Sequence, residues 1–137
     1  MKDFRQLNVW EKAHHLTLAI YETTRAFPPD ERFGIISQMR RCSSSIAANI
    51  AEGCGRSGDG EFHRFLQTAM GSASELDYHL LLSRDLHYLA DKDYDRLQKM
   101  VQEVKSMLAA PTAQGPVKTS CLSLIANCCF SISRPNP

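Results

Sequence analysis

Residues 40–65, RRCSSSIAANIAEGCGRSGDGEFHRF, decide how the chain is read. Small and polar residues fill the first half, where Ile46 and Ile50 are the bulky apolar side chains. Glycines follow, and aromatics return at Phe62 and Phe65. A phosphate-cradling loop, a nucleophile site and a closely packed helix ending in a turn would each leave such a trace. The first fails because GCGRSGDG lacks the Lys-Ser/Thr pair of a P-loop and follows no strand pattern. The second fails because Ser43, Ser44 and Ser45 lie outside a G-x-S-x-G frame. Hydroxyls within a helix bond back to a carbonyl one turn earlier and need no catalytic role. The helix reading remains. Ser44, Ala47, Ala48 and Ala51 recur at three- and four-residue steps, a stripe small enough to let two backbones approach. Gly53, Gly55, Gly58 and Gly60 then form a turn that tolerates positive φ.

Working outward, apolar residues recur at helical spacing through most of the chain. Val9, Ala13, Leu16, Ile20 and Thr24 predict a first helix over about 9–26, with Asn8 as N-cap and Pro28-Pro29 as its stop. Asp30 or Pro29 opens a second helix along Ile35, Met39, Cys42, Ile46 and Ile50, ended by Gly53 or Gly55. Asp59 caps a third, whose line is Phe62, Phe65/Leu66, Ala69, Ala73, Leu76, Leu80 and Ser83. Near Leu80-Leu81-Leu82, Leu86 and Leu89 its apolar surface is almost double-sided, which predicts contact with another subunit. Asp91 caps a fourth, with Tyr94, Leu97, Val101, Val104 and Leu108 at seam spacing and Pro111 beyond. With short connectors and no alternating strand pattern, the predicted fold is all-α, an antiparallel up-down four-helix bundle over residues 1–110.

Residues 111–137 form a different region, a tail rich in Ser, Cys and Pro without acidic residues, expected to be poorly ordered. Its apolar run CLSLIANCCFSIS is too short to span a bilayer. The amino terminus carries scattered charge and no apolar core of a signal peptide, so the expected location is cytoplasmic, without a membrane partner. Cysteines at 42, 54, 121, 128 and 129 make no C-x-x-C pair and read as free thiols. The net charge is +1, and residues 1–110 hold 14 Lys+Arg against 15 Asp+Glu. Bulk charge therefore gives no pull toward nucleic acid.

Four-helix bundles can house di-metal sites built from Glu-x-x-His motifs on two helices and a Glu from each of the others. Glu11-x-x-His14 matches once, whereas Glu75 and His79 are four apart and helix 4 offers Glu103 without a histidine. No catalytic residue, cofactor or metal is predicted, and the chain reads as a non-enzyme. Glu52, in an apolar and small stretch near Arg40, Arg41, Arg56 and Arg64, predicts a buried Glu–Arg clasp fixing helix 2 against helix 3. Asn49 is expected to reach a neighbouring helix through its amide.

SQMRRCSSSIAANIAEGCGR and EFHRFLQTAMGSASEL, with the opening LNVWEKAHHLTLAIYETTRAFPPDERFGIISQMRR, resemble the bacterial 23S rRNA intervening-sequence proteins, also called the S23 ribosomal family. The likeness covers about residues 4–108, and its S-I-x-x-N-I-A-E-G core is specific. It implies a small bundle that assembles as a homopentameric ring. It also implies kinship with the accessory protein of diversity-generating retroelements, which is linked to nucleic acid and a reverse transcriptase. The chain departs from the family after Ala110, where a basic continuation of helix 4 gives way to Pro111 and the cysteine-containing tail.

Two readings follow. In one, a ring-forming accessory factor binds RNA or DNA through Arg40, Arg41, Arg56 and Arg64, gathered near the corner of helices 2 and 3 and repeated around the ring. In the other, the bundle is a protein-interaction scaffold that never touches nucleic acid, consistent with its near-neutral charge and the leucine surface of helix 3.

Overall fold

The computed structural model describes residues 3–110. The predicted tail and the role given to Pro111 lie outside the described residues. A short 3-10 turn, Phe4–Gln6, leads into α1, Asn8–Thr23, which ends in a second 3-10 turn at Thr24–Ala26. A third, Pro29–Glu31, precedes α2, Ile35–Cys54. Next come α3, Asp59–Asp85, and α4, Asp91–Ala109. Each helix contacts its chain neighbour, and α1 also closes against α4. The helices thus alternate in direction around a square, with α1 diagonal to α3. This is the expected all-α four-helix bundle.

The core follows the spacing read from the sequence. Val9, Ala13, Leu16 and Ile20 of α1 are fully buried, as are Met39, Cys42, Ile46 and Ile50 of α2. Ala69, Ala73, Leu76 and Leu80 of α3 and Leu97 and Val101 of α4 complete it. Each Val, Leu, Ile or Met among them contributes about 1.5–3 kcal/mol when removed from water. The most extensive helix contact is between α2 and α3. Its closeness comes from Gly53 more than from the predicted stripe. A Cβ placed on Gly53 would stand 3.0 Å from Phe65 Cβ and 3.1 Å from Phe62 Cδ2. Ala47 is buried, but Ser44 and Ala48 face outward and Ala51 is half-buried. Helical spacing alone does not say which face meets the core, and the stripe falls on the rim of the contact.

The helix starts also differ from expectation. Asn8, Asp59 and Asp91 are each the first helical residue, and the caps are Leu7, Gly58 and Ala90, none with a side-chain capping bond. Asp59 and Asp91 act instead as first-turn carboxylates facing the positive end of the helix dipole. Of the four glycines in the turn, Gly58 alone takes a positive φ, +97°. The start of α2 is satisfied from outside by Glu31, whose Oε2 accepts the Ile35 backbone N–H at 3.2 Å. Its Oε1 accepts the Tyr88 hydroxyl at 3.2 Å, tying the α1–α2 connection to the α3–α4 turn. In that turn His87 adopts φ 63°, and Tyr88 N–H reaches back to the Ser83 carbonyl at 2.9 Å, a left-handed helix stop.

Candidate interaction surface

The four arginines singled out from the sequence do not form one patch. Arg41 and Arg56 are fifteen residues apart on and just beyond α2, which at 1.5 Å per residue separates them by about 22 Å. Arg40 turns toward α1, where its Nε donates to Thr24 Oγ1 at 2.9 Å and its guanidinium lies 4.8 Å from the Tyr21 ring centre. Arg41 pairs with Glu75 of α3 at 2.6 Å. Arg56 and Arg64 do meet at the α2–α3 corner, each 5.6 Å from the centre of the Phe65 ring. Both are also beside carboxylates, Glu52 at 2.7 Å and Glu61 at 3.8 Å respectively.

The predicted clasp is therefore corrected. Glu52 is exposed and bonds Arg56 four residues on, a local pair that joins no two helices. Its side chain points to water because Ile50 and Gly53 take the inward positions of that turn. The pair that does tie α2 to α3 is Arg41–Glu75, and Glu75 is shared with His79 Nε2 at 3.6 Å. Asn49 reaches α3 only indirectly. Its Nδ2 donates to Ser45 O at 2.8 Å and lies 3.0 Å from Ser45 Oγ, which in turn bonds Ser72 Oγ at 3.0 Å. Between α3 and α4, Asp77 accepts from Gln102 at 2.8 Å and from Lys105 at 3.3 Å. The i,i+4 spacing of Glu75 and His79 is the trace of this pair in the sequence. Nothing in it marked Asp77 or Glu31.

The residues of the half-matched metal motif go elsewhere. His14 stacks on Trp10 with ring centres 5.0 Å apart and planes 8° from parallel, while Glu11 is exposed and Glu103 bonds Lys12 at 3.1 Å. Among the described residues no three His, Cys, Asp or Glu side chains stand close enough to hold a metal ion. Burial, with the Glu75 carboxylate adding to it, pushes the Cys42 thiol from 9.0 up to about 12, which leaves it a poor nucleophile.

What the surface does present is apolar. The leucine surface of α3 is narrower than predicted: Leu80 and Leu89 are buried and Leu82 is half-buried, leaving Leu81 and Leu86 exposed. Tyr78 is 58% exposed and Leu81 37%, one turn apart on the outer side of α3. Leu18 at 54% and Tyr21 at 43% hold the same spacing on the outer side of α1. Phe33, 89% exposed, stands at the bundle end beside the start of α2. No described helix is long and apolar enough to cross a membrane.

These features define a small helical bundle with charged surface pairs and apolar side chains left outside its core. The family model for the 23S rRNA-intervening sequence protein matches residues 5–110, and the chain belongs to that family. Among solved structures it is similar to a protein of unknown function from the S23 ribosomal protein family of Bacteroides thetaiotaomicron VPI-5482. The two are 24% identical with a TM-score of 0.67 over 74% of this chain and 94% of that one, a likeness that bears on the fold alone. Comparison with curated proteins returns no significant match.

Proposed function

We propose that the protein is a non-enzymatic, self-associating bundle that acts as an interaction scaffold. The observation that supports this reading is the pair of exposed tyrosine–leucine steps, Leu18/Tyr21 and Tyr78/Leu81, on helices whose inner faces are fully packed. Apolar side chains at helical spacing outside a complete core are more useful against protein than against water. The oligomer predicted by resemblance, a homopentamer, is one way to cover them. Light scattering of the nuclease-treated protein tests the reading: a mass well above the 15.4 kDa subunit is expected. A subunit-sized mass at micromolar concentration would overturn it.

The nucleic-acid reading keeps one specific support, the Arg56–Phe65–Arg64 corner. An aromatic ring beside two guanidinium groups is a combination that single-stranded nucleic acid uses for stacking and phosphate contact. Against it, Glu52 and Glu61 pair with these same two arginines and offset both positive charges. A phosphate contact here would have to displace existing carboxylates, so scaffold ranks first and an RNA- or DNA-binding accessory role second. Binding of labelled single-stranded RNA across a salt series separates the two. Binding that falls steeply with salt and is lost in Arg56→Ala/Arg64→Ala would reverse that order.

A further inference from the structure

The end of the bundle formed by the α1–α2 connection holds the most exposed large apolar side chain among the described residues. Phe33 is 89% exposed, whereas Phe27 and Phe62 are buried and Phe4 and Phe65 half-buried. Its turn is nonetheless firmly tied. Pro28 and Pro29 fix two consecutive φ angles, and Phe27 before them sits in the core. The backbone N–H groups of Glu31, Arg32 and Gly34 donate to the carbonyls of Pro28, Pro29 and Glu31 at 3.0, 3.1 and 3.0 Å. The Glu31 carboxylate then joins the turn to the start of α2 and to Tyr88. Gly34 leaves room for that carboxylate, since a Cβ there would collide with Glu31 Oε2. The backbone beneath Phe33 is therefore already ordered, and a contact made by its ring costs little further entropy.

Two charged side chains stand beside the ring. Asp30 and Arg32 are both exposed, and neither side chain has a hydrogen-bond or ion-pair partner among the described residues. That is unusual on this surface. Arg40 apart, every other described arginine has a carboxylate oxygen within 3.8 Å. Asp30 and Arg32 do not satisfy each other because, at three residues per 3-10 turn, positions two apart point about 120° away from one another. The turn thus presents an apolar centre with one unpaired charge of each sign at its edge.

We propose that a second copy of this chain docks on this end, turn against turn. About a two-fold axis the two Phe33 rings meet, and Arg32 of each copy pairs with Asp30 of the other, so both ion pairs form in one contact. The two signs favour a copy over the remaining segment of the chain itself. Residues 111–137 hold Lys118 and Arg134 but no acidic side chain to meet Arg32. The contact uses neither the α1 nor the α3 face, so it goes beyond the side-by-side reading: it joins two copies, or two assemblies, end to end. One turn per copy falls well short of the roughly 1,000 Å² of a stable interface, so the pairing is weak and concentration-dependent.

Sedimentation of the full chain at a concentration on the order of a few hundred micromolar tests this. The wild type is expected to approach twice the mass of Phe33→Asp at the same concentration, and equal masses would overturn the proposal. Asp30→Arg and Arg32→Asp, each alone, set like charges together and should match the lower mass. Asp30→Arg/Arg32→Asp in one chain restores both pairs with their signs exchanged and should recover the wild-type mass. Doubling that survives both single changes, or that the paired change fails to restore, would overturn the two-fold contact. All three sites are exposed, so the helical circular dichroism should be the same throughout. At micromolar concentration the mass of Phe33→Asp reports separately on the side faces. It exceeds 15.4 kDa if they associate and equals it if they do not, whatever the end contact does.

Discussion

The seam between α2 and α3 and the corner that joins them are built from the same residue types and work in different ways. Along the seam, Arg41 crosses to Glu75, Ser45 to Ser72, and Gly53 lets Phe62 and Phe65 lie against the α2 backbone. At the corner, Arg56 and Arg64 each find a carboxylate three or four residues away on their own stretch of chain. The seam therefore fixes two helices relative to each other, whereas the corner only neutralises its own charge. An arginine close in sequence to a glutamate is satisfied locally before the fold can use it. The arginines that tie elements together, Arg40 and Arg41, are those whose partners lie sixteen and thirty-four residues away.

Substitutions at the two regions should separate sharply. Truncating the seam's core with Leu76→Ala, at a fully buried position, should cost about 2–5 kcal/mol in urea unfolding. A loss below about 1 kcal/mol would mean that the seam is not the packed contact described. Gly53→Val puts a branched side chain where even a Cβ stands 3.0 Å from Phe65, and overpacking of that kind costs about 1–3 kcal/mol. Unchanged stability there would show that the helices part easily.

Charge substitutions are smaller. Glu75→Gln removes the carboxylate shared by Arg41 and His79, but both Arg41 and Glu75 are partly exposed, so the loss should be at most about 1 kcal/mol. Glu52→Gln at the corner should change stability by less than about 0.5 kcal/mol. An equal or larger loss for Glu52→Gln would erase the distinction between seam and corner.

Cys42 sharpens the seam in another way. Its thiol pKa is higher folded than unfolded, so its contribution is fully present below about pH 9 and is lost as the pH rises toward about 12. At pH 8 a thiol reagent should leave Cys42 unmodified in the native protein and label it after unfolding, as peptide mapping would report. Rapid native labelling would contradict its burial.

The fold was legible because the core obeys a single rule. Apolar residues at three- and four-residue steps marked the buried side of every helix, and Val9 through Ile20 and Leu97 through Leu108 were found where the period placed them. What failed were features that depend on a second element. Asn8, Asp59 and Asp91 have the right side chains for caps, yet the preceding residue carries the cap conformation at each start, and Gly58 alone can take φ +97°. Glu52 looked buried because its neighbours are small, but one helical step turns it to solvent. Glu31, Asp77 and the Leu18/Tyr21 step could not be read in advance, since a surface is defined only once the helices are placed around one another.

The most direct measurement is sedimentation of the wild-type protein beside its Tyr78→Glu/Leu81→Glu variant at the same micromolar concentration. The account predicts a wild-type mass that is a multiple of 15.4 kDa and a variant that sediments as a single helical subunit. A monomeric wild type, or a variant that keeps the wild-type assembly, would contradict it.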